Sequence, residues 1–285
     1  MTSPYQHPNP DWAAVVLYYR RGEEIWETID SIVSQDPPPK DVVIVDNASH
    51  DGTLNAENVR AHGARLIQLS ENKGYAGGMN CGVAALGDAS WVLLATHDIL
   101  LPSGAATSAL SAVAAVPSTV AVGPILEVDN STWSAGGTIG MRGPRHTTKV
   151  PDRPIEAQWL DGCCIFVRTW ALREVSGIDE RYFLYWEDVD LGHRLSKLGA
   201  LVVTPEVRVI QETARTPVYF GARNAIVYWR ARRSYIAAAA ATVLSLAKVI
   251  VRDHSRREAA VARLSGVRDG WTGRLNVPQS LIREH

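Results

Sequence analysis

Cysteine is scarce in this chain of 285 residues, which has only Cys81, Cys163 and Cys164. Their number is odd, two of them are adjacent, and no Cys-x-x-Cys spacing occurs. This usage argues against a disulfide framework or a zinc site and fits a reducing, cytoplasmic environment.

Net charge is also nearly absent, because 29 Lys and Arg oppose 30 Asp and Glu and leave a formal charge of -1. We therefore do not expect the chain to bind nucleic acid. The balance conceals an asymmetry, since residues 222–285 contain twelve Lys and Arg but only four Asp and Glu. An apolar content of 46% is typical of a globular protein and argues against disorder.

No apolar run reaches the roughly 20 residues that a membrane-spanning helix needs. The most apolar segment, YIAAAAATVLSLAKVIV at 235–251, has seventeen residues and contains Lys248. We interpret it as a packed or surface-lying helix. The N-terminus MTSPYQHPNPDW lacks the basic and apolar regions of a signal peptide. The expected location is the cytoplasm, either free or peripheral at the cytoplasmic face of the membrane.

The first hundred residues alternate apolar strand-type runs with helical patterns. The runs are AAVVLYY (13–19), DVVIVD (41–46), ARLIQLS (64–70) and SWVLLAT (90–96). Such alternation predicts βαβ units and a largely parallel sheet, and the continuous apolar character predicts helices on both of its faces. We expect a tail at 1–11, one α/β domain at 12–220, and a basic helical extension at 221–285.

Beyond residue 100 the pattern is less regular. Strand-type runs at 118–128 and 157–168 enclose residues 132–154, whose Gly and Pro content predicts a loop. A helix over 187–200 and a pair of strands over 200–211 are expected to follow.

Two nucleotide-binding fingerprints are missing. A dinucleotide site needs Gly-x-Gly-x-x-Gly directly after the first strand, where this chain has YYRRGEE (18–24). No Gly-x-x-x-x-Gly-Lys-[Ser/Thr] occurs either, which argues against a P-loop enzyme. A nucleotidyltransferase is also disfavoured, because no Gly-rich, Lys-bearing loop follows the first strand.

Polar groups follow four predicted strands, where a parallel sheet binds its ligands. They are Tyr18 and Tyr19, Asp46 and Asn47, residues 72–80, and residues 96–98. These residues are therefore expected to share one edge of the sheet.

Several motifs occur in a fixed order: VVLYYRR (15–21), IVDNASHDGT (44–53), ENKGYAGGMNCG (71–82), THD (96–98), WLDGCCIFVR (159–168) and GIDERYFLYWEDVDLGHRLSKLGA (177–200). In order and spacing they resemble the inverting GT-A glycosyltransferases of family two, in particular the rhamnosyltransferase-like branch, over roughly residues 15–224. The resemblance implies a GT-A fold with a mostly parallel sheet and a helical C-terminal extension. It also implies transfer of a sugar from a dTDP or UDP donor, most of all L-rhamnose from dTDP-L-rhamnose, to a polyprenyl-linked glycan or a small-molecule acceptor.

The resemblance implies that Asp188 is the general base and that Glu187 holds the acceptor. An unperturbed carboxylate has a pKa of ~4, and crowding with Glu187 and burial among aromatics are expected to raise it toward a useful basicity. Asp190 is expected to cap the helix or to pair with Arg194. The alternative interpretation of all three acids is a helix N-terminus that the helix dipole favours.

The donor pocket implied by the resemblance centres on Asp46, which can accept the N3–H of uracil or thymine. The other expected donor contacts are Tyr18, Tyr19, Asn47, Gly74, Asn80, Thr96 and Asp98. Gly74, Gly77 and Gly78 are expected to let the backbone approach the donor closely, and the alternative for each is a turn or packing role. The alternative for Asp46 is a turn residue that caps the following helix.

The sugar or acceptor pocket implied by the resemblance includes Trp159, Asp161, Gly162 and Trp186. The flat faces of the two Trp rings suit a pyranose, and the alternative for both rings is core packing.

The THD motif departs from the Asp-x-Asp or Asn-x-Asp of the family, and Gln211 stands where many relatives have His. Mg²⁺ or Mn²⁺ is nevertheless expected, held weakly through Asp98 and the donor diphosphate. The alternative is a metal-independent enzyme. The degenerate motif also supports a second hypothesis, a catalytically silent module that binds a sugar nucleotide or a partner.

Six arginines flank the Ala-rich segment: Arg230, Arg232, Arg233, Arg252, Arg256 and Arg257. The extension is therefore expected to contact anionic lipid or an acceptor pyrophosphate. The alternatives are a solvated appendage and a homodimer interface.

Overall fold

A computed structural model describes residues 11–140, 143–211, 217–253 and 255–274. All but one residue of the predicted tail at 1–11, and the end of the extension after 274, lie outside these ranges.

The described strands lie as follows: β1 (Trp12–Tyr18), β2 (Val42–Asp46), β3 (Arg65–Gln68), β4 (Trp91–Thr96), β5 (Ile99–Leu100), β6 (Thr119–Val128), β7 (Ser131–Ser134), β8 (Gly137–Gly140), β9 (Gly143–His146), β10 (Ile155–Ala157), β11 (Cys164–Arg168) and β12 (Ala200–Gln211). The described α-helices are α1 (Ile25–Val33), α2 (Ala56–Ala61), α3 (Gly74–Ala85), α4 (Ala105–Ala115), α5 (Thr169–Glu174), α6 (Glu187–Leu195), α7 (Val218–Ala231), α8 (Tyr235–Val251) and α9 (Arg257–Thr272).

The central sheet has the strand order β10-β12-β6-β11-β4-β1-β2-β3. Strands β3, β2, β1 and β4 are parallel neighbours, as their continuous apolar runs predict. The other half differs from the expected parallel arrangement, because β11 runs antiparallel to both β4 and β6. The sheet is therefore mixed, and the carboxyl ends of β1, β2 and β4 still meet at one edge.

Helices cover both faces of the sheet through apolar side chains at helical spacing. In α1, Ile25, Ile29 and Ile32 are fully buried. Gly78 also lets α3 pack closely on β1, because a Cβ at this position would lie 2.3 Å from Leu17. This observation supports a packing role for Gly78, and its close approach to the donor stays a prediction.

Two further expectations are wrong. Residues 132–154, expected to form a loop, contain β7, β8 and β9, which are too short for a periodic signal. The expected strand pair over 200–211 is one strand, β12, whose register shifts between Val203 and Arg208. Pro205 lies within that shift, and proline cannot donate to a sheet ladder.

The C-terminal helices are not a separate appendage. α7 begins at Val218, so the predicted boundary at residue 220 falls inside it, and Arg223 and Asn224 of this helix are fully buried. No helix of the described residues is both long and apolar enough to cross a membrane.

Candidate active site

A cavity of about 730 Å³ opens at the carboxyl ends of β1, β2 and β4. It contains most of the predicted site residues: Tyr19, Asn47, Gly74, Thr96, Asp98, Trp159, Asp161, Gly162, Trp186, Glu187 and Asp188. Gln211 also lines it. Residues from motifs far apart in the chain thus meet at one edge of the sheet.

Tyr18, Asp46 and Asn80 are not among the residues that line this cavity, and their expected donor contacts stay predictions. The Tyr18 hydroxyl lies 2.5 Å from Asp51, and Asp46 accepts a hydrogen bond from the Ser49 amide at 2.9 Å. Asp46 therefore supports the turn after β2, as the alternative interpretation expects, and its contact with the donor base stays a prediction. Asn80 donates to the carbonyl and accepts from the amide of Ile178, because it lies on the far side of α3.

Asn47 faces the cavity and holds the turn that precedes α3. Its side-chain amide donates to Asn72 Oδ1 at 2.9 Å and to the Gly74 carbonyl at 3.1 Å, and its oxygen accepts from the Lys73 amide at 2.9 Å. The residue therefore shapes the cavity wall in addition to facing any ligand.

The acidic cluster places its three carboxyls in different environments. Asp190 is buried and pairs with Arg194 at 2.6 Å, which confirms the predicted pairing, and with Arg232 at 2.9 Å. Asp188 and Glu187 instead line the cavity. The cluster is therefore more than an acidic helix N-terminus.

Asp188 is half-buried and lines the cavity. Its Oδ1 accepts from the Val189 amide at 2.7 Å. Burial, and next the negative charge of Asp161, raise the pKa of Asp188 to about 6. A carboxylate with this pKa is largely ionised at neutral pH yet is a stronger base than an ordinary aspartate.

Glu187 is 5% exposed, and its Oε2 has no hydrogen-bond partner among the described residues. Burial, and then the charge of Asp188, raise the pKa of Glu187 well above its usual range. Buried polar atoms are normally paired, so this buried, unpaired oxygen is an exception, and it belongs to a residue that lines the cavity.

Gly162 lies between the acids and α3. Its carbonyl accepts a hydrogen bond from the Tyr75 hydroxyl. A Cβ at Gly162 would lie 3.0 Å from that hydroxyl and 3.4 Å from the Asp188 Cβ. Only glycine fits here without moving the buried Tyr75 or the carboxylate.

His146 is a cavity residue that the sequence analysis missed. Its Nε2 lies 2.8 Å from Asp161 Oδ1, and the Ser134 hydroxyl donates to Asp161 Oδ2 at 2.5 Å. The imidazole packs between Trp133 and Trp159. Burial alone would lower the pKa of His146, but the bond to Asp161 outweighs it, so the pKa is raised. His146 lies on β9, and Trp133 and Ser134 lie on β7, within the segment that was expected to be a loop.

The THD segment brings one carboxylate to the cavity. Thr96 Oγ1 donates to Asp98 Oδ1 at 2.5 Å, and His97, which also lines the cavity, has its Nδ1 3.1 Å from the Leu17 carbonyl. The described residues contain no group of three His, Cys, Asp or Glu side chains that could hold a metal by themselves. Asp98 still fits Mg²⁺ or Mn²⁺, since such ions bind through one carboxylate together with substrate phosphates and water.

Residues 13–180 match the model of the family described as glycosyl transferase family 2. The N-acetylglucosaminyl-diphospho-decaprenol L-rhamnosyltransferase of Mycobacterium tuberculosis is 31% identical over 235 residues, which cover 71% of this chain and 76% of the relative.

Two solved structures have the same fold. GalNAc-T7 with UDP, GalNAc and Mn²⁺ superposes with a TM-score of 0.67 at 12% identity, over 94% of this chain and 57% of that protein. Residues 1–349 of S. aureus TarS with UDP-GlcNAc superpose with a TM-score of 0.60 at 14% identity, over 93% and 82% of the two chains. These likenesses confirm the expected GT-A fold.

Proposed function

This chain belongs to glycosyl transferase family 2, and from that premise we propose that it moves L-rhamnose from dTDP-L-rhamnose to a hydroxyl of a lipid-linked glycan, with Asp188 as the base. The reaction class, glycosyl transfer from a nucleotide sugar, follows from the family and the rhamnosyltransferase relative. The donor, the acceptor and the base are the proposed parts. A role in cell-wall or polysaccharide synthesis agrees with the same relative.

The observation that carries the proposal is Asp188, a carboxylate in the cavity wall whose pKa is raised to about 6. In the proposed step, Asp188 accepts the proton of the acceptor hydroxyl while that oxygen forms a bond to the anomeric carbon. The bond from that carbon to the diphosphate breaks on the opposite face, and its electron pair leaves with the nucleotide. Such a step inverts the anomeric configuration.

Glu187 is proposed to orient the acceptor. Glu187 lines the cavity beside Asp188, and its raised pKa favours the protonated form, which can donate as well as accept a hydrogen bond. Trp159, Asp161, Gly162 and Trp186 are proposed to form the wall around the two sugars.

The donor nucleotide is proposed to lie along Tyr19, Asn47, Gly74 and Thr96, with its diphosphate near Asp98. A divalent cation bound there with the diphosphate would neutralise negative charge on the leaving group. Asp98 is the residue of this chain that would hold it.

The apolar α8 is proposed to rest on the surface of an anionic bilayer. Ile236, Val243 and Ile250 recur every seven residues and are 82%, 65% and 75% exposed, whereas the buried side chains of this helix are Ala238 and Ser245. Exposed apolar area of this kind marks an interaction surface.

The positive charge near the ends of α8 indicates what this apolar surface binds. Arg233, Arg252, Arg256 and Arg257 are exposed near the two ends of α8, and basic residues beside an apolar helix favour anionic lipid. Two of the six arginines that flank the Ala-rich segment make contacts within the protein: Arg232 pairs with Asp190, and Arg230 donates to the Gly270 carbonyl. The proposed location is therefore the cytoplasm, peripheral at the membrane face.

Vesicle sedimentation tests the membrane proposal with phosphatidylglycerol and phosphatidylcholine vesicles. We expect binding to the anionic vesicles alone, and loss of binding in an Ile236→Asp, Ile250→Asp double variant. Ile210→Asp is the matched control, since Ile210 is 57% exposed on β12. If the double variant instead converts a dimer to a monomer while vesicle binding is absent throughout, the surface is a homodimer interface.

The donor proposal is tested by thermal shift and by transfer. Purified protein is heated with dTDP, UDP, GDP and their sugars, each with EDTA, Mg²⁺ or Mn²⁺. A ligand at a hundredfold excess over its Kd raises stability by ~2.7 kcal/mol. The same donors are then incubated with N-acetylglucosaminyl-diphospho-polyprenol. We expect a metal-dependent shift with dTDP compounds and rhamnosyl transfer. Donor binding without transfer to any acceptor would support the silent module instead.

A further inference from the structure

The aromatic loop Tyr182–Trp186, which leads into α6, has an uncommon backbone conformation. Phe183, Tyr185 and Trp186 have φ angles of 64°, 66° and 74°. Bulky residues rarely adopt this left-handed region, and they persist there only where the surrounding structure holds them. Something outside the loop must therefore stabilise it.

The holding contacts come from α7 of the C-terminal extension. The side-chain nitrogen of Asn224 lies 2.9 Å from the Tyr182 carbonyl, 2.9 Å from that of Leu184 and 2.8 Å from that of Tyr185, so its two N–H groups are shared among three acceptors. One fully buried side chain thus reaches three carbonyls within four residues of the loop.

Arg223 completes the support. Its guanidinium donates to the Arg181 carbonyl at 2.9 Å and to the Asn224 side-chain oxygen at 2.7 Å. The second bond fixes which way the amide of Asn224 faces, so that its N–H groups point at the loop. Phe220, one turn earlier on α7, stacks on Phe183 with ring centroids 5.5 Å apart.

The aromatic loop links the contacts of Arg223 and Asn224 to Asp188. Trp186 is the N-cap of α6, and its carbonyl accepts from the Asp190 amide at 2.9 Å. Asp188 therefore lies in the first turn of a helix whose starting direction the loop sets. On the other side, the Phe183 carbonyl accepts from the Tyr75 amide at 2.7 Å, at the start of α3.

We infer that Arg223 and Asn224 are positioning residues, which hold the aromatic loop so that Asp188 and Trp186 face the cavity. This rests on the proposed function, in which Asp188 is the base. The side chains themselves do not touch the cavity, so their effect on the reaction passes through the loop.

The test variant is Asn224→Asp, which keeps the shape of the side chain and removes its N–H donors. The matched control is Tyr219→Phe on the same helix. It removes a buried hydrogen bond, 3.0 Å long, from Tyr219 to Asp269 of α9, and leaves the loop contacts in place. Both variants lose buried hydrogen bonds of α7, but only one loses bonds to the loop.

Three quantities are measured: kcat in the transfer assay, the Kd for dTDP, and amide hydrogen exchange over residues 182–190. For Asn224→Asp we expect kcat to fall ~10- to 100-fold, since a shift of about 1 Å at a reacting group has effects of this size. The Kd for dTDP should stay within about threefold, and exchange in the loop should accelerate. Tyr219→Phe should change the melting temperature but neither kcat nor loop exchange.

Unchanged kcat and loop exchange in Asn224→Asp would overturn the inference. An equal loss of kcat in Tyr219→Phe at an equal loss of melting temperature would also overturn it, since the effect would then be general destabilisation. If the wild-type protein shows no transfer, the proposed function fails, and loop exchange alone still decides whether Asn224 holds the loop. Should Asn224→Asp not fold, Arg223→Lys is measured in the same way.

Discussion

Asp161→Asn should move the pH dependence of transfer, because Asp161 acts on the pKa of Asp188. The pKa of Asp188 is raised from 3.8 to about 6, first by burial and next by the charge of Asp161. The amide variant removes that charge and keeps the size of the side chain. The remaining burial should keep the pKa above its ordinary value.

The direction of the change follows from the sign of the charge. Asp161 is the second-largest cause of the rise, after burial, so its removal should lower the pKa of Asp188 without returning it to 3.8. A base must be unprotonated to act, so kcat/KM should rise with pH through the pKa of the free enzyme. In the variant, the midpoint of this acid limb should therefore move to lower pH, by on the order of one pH unit.

The assay is the pH profile of kcat/KM for rhamnosyl transfer, measured from pH 4.5 to pH 8 in about eight steps. Only the midpoint is compared, because Asp161 is also a proposed sugar contact whose loss lowers the rate at every pH. Asp152→Asn, an exposed residue, is the control. An unmoved midpoint, or one that moves to higher pH, would refute the electrostatic reasoning.

Three further predictions follow from the same site. His146→Gln should move the acid limb of the pH profile to higher pH, because the imidazolium of His146 lowers the pKa of Asp188. This shift is opposite to that of Asp161→Asn, and a shift in the same direction would contradict the reasoning. Gly162→Ala should cost about 1–3 kcal/mol of unfolding free energy and reduce kcat, because the added Cβ contacts Tyr75 and Asp188. Urea unfolding measures the stability and the transfer assay measures kcat. Wild-type values of stability and kcat would contradict the prediction. Asp98→Asn should make the thermal shift by the nucleotide sugar independent of Mg²⁺ and Mn²⁺, and a persisting metal effect would place the cation elsewhere.

The parallel half of the sheet could be predicted because its strands are buried on both faces. The first four residues of β2, VVIV, include no polar position, and only a strand covered by two helix layers tolerates that. The antiparallel β11 could not be predicted, since a short apolar run such as CIFVR has the same pattern in either direction.

The site could be predicted in part from motif order. Groups that follow strands meet at one edge, and Thr96 and Asp98 lie there as expected. Asp46 and Asn80 are not among the lining residues, and a sequence does not show which way a side chain turns after a strand or around a helix. His146 was missed for another reason: it lies on β9, a strand of four residues, and a single His has no periodic signal.

The contribution of α7 is also hidden in the sequence. Arg223 and Asn224 lie about 40 residues beyond the loop that they hold, in a segment whose basic composition suggested a separate extension. Only the folded chain shows their polar atoms against the loop carbonyls. The composition of a segment does not show which of its individual side chains are buried in the folded protein.

The most direct test of the central claim is rhamnosyl transfer by Asp188→Asn. The amide has the shape of the carboxylate but cannot accept the acceptor proton, and a general base contributes ~10²- to 10⁴-fold to rate. The account predicts a loss of kcat in that range with the Kd for dTDP-L-rhamnose unchanged. Transfer at the wild-type rate, with the same pH profile, would contradict the assignment of Asp188 as the base.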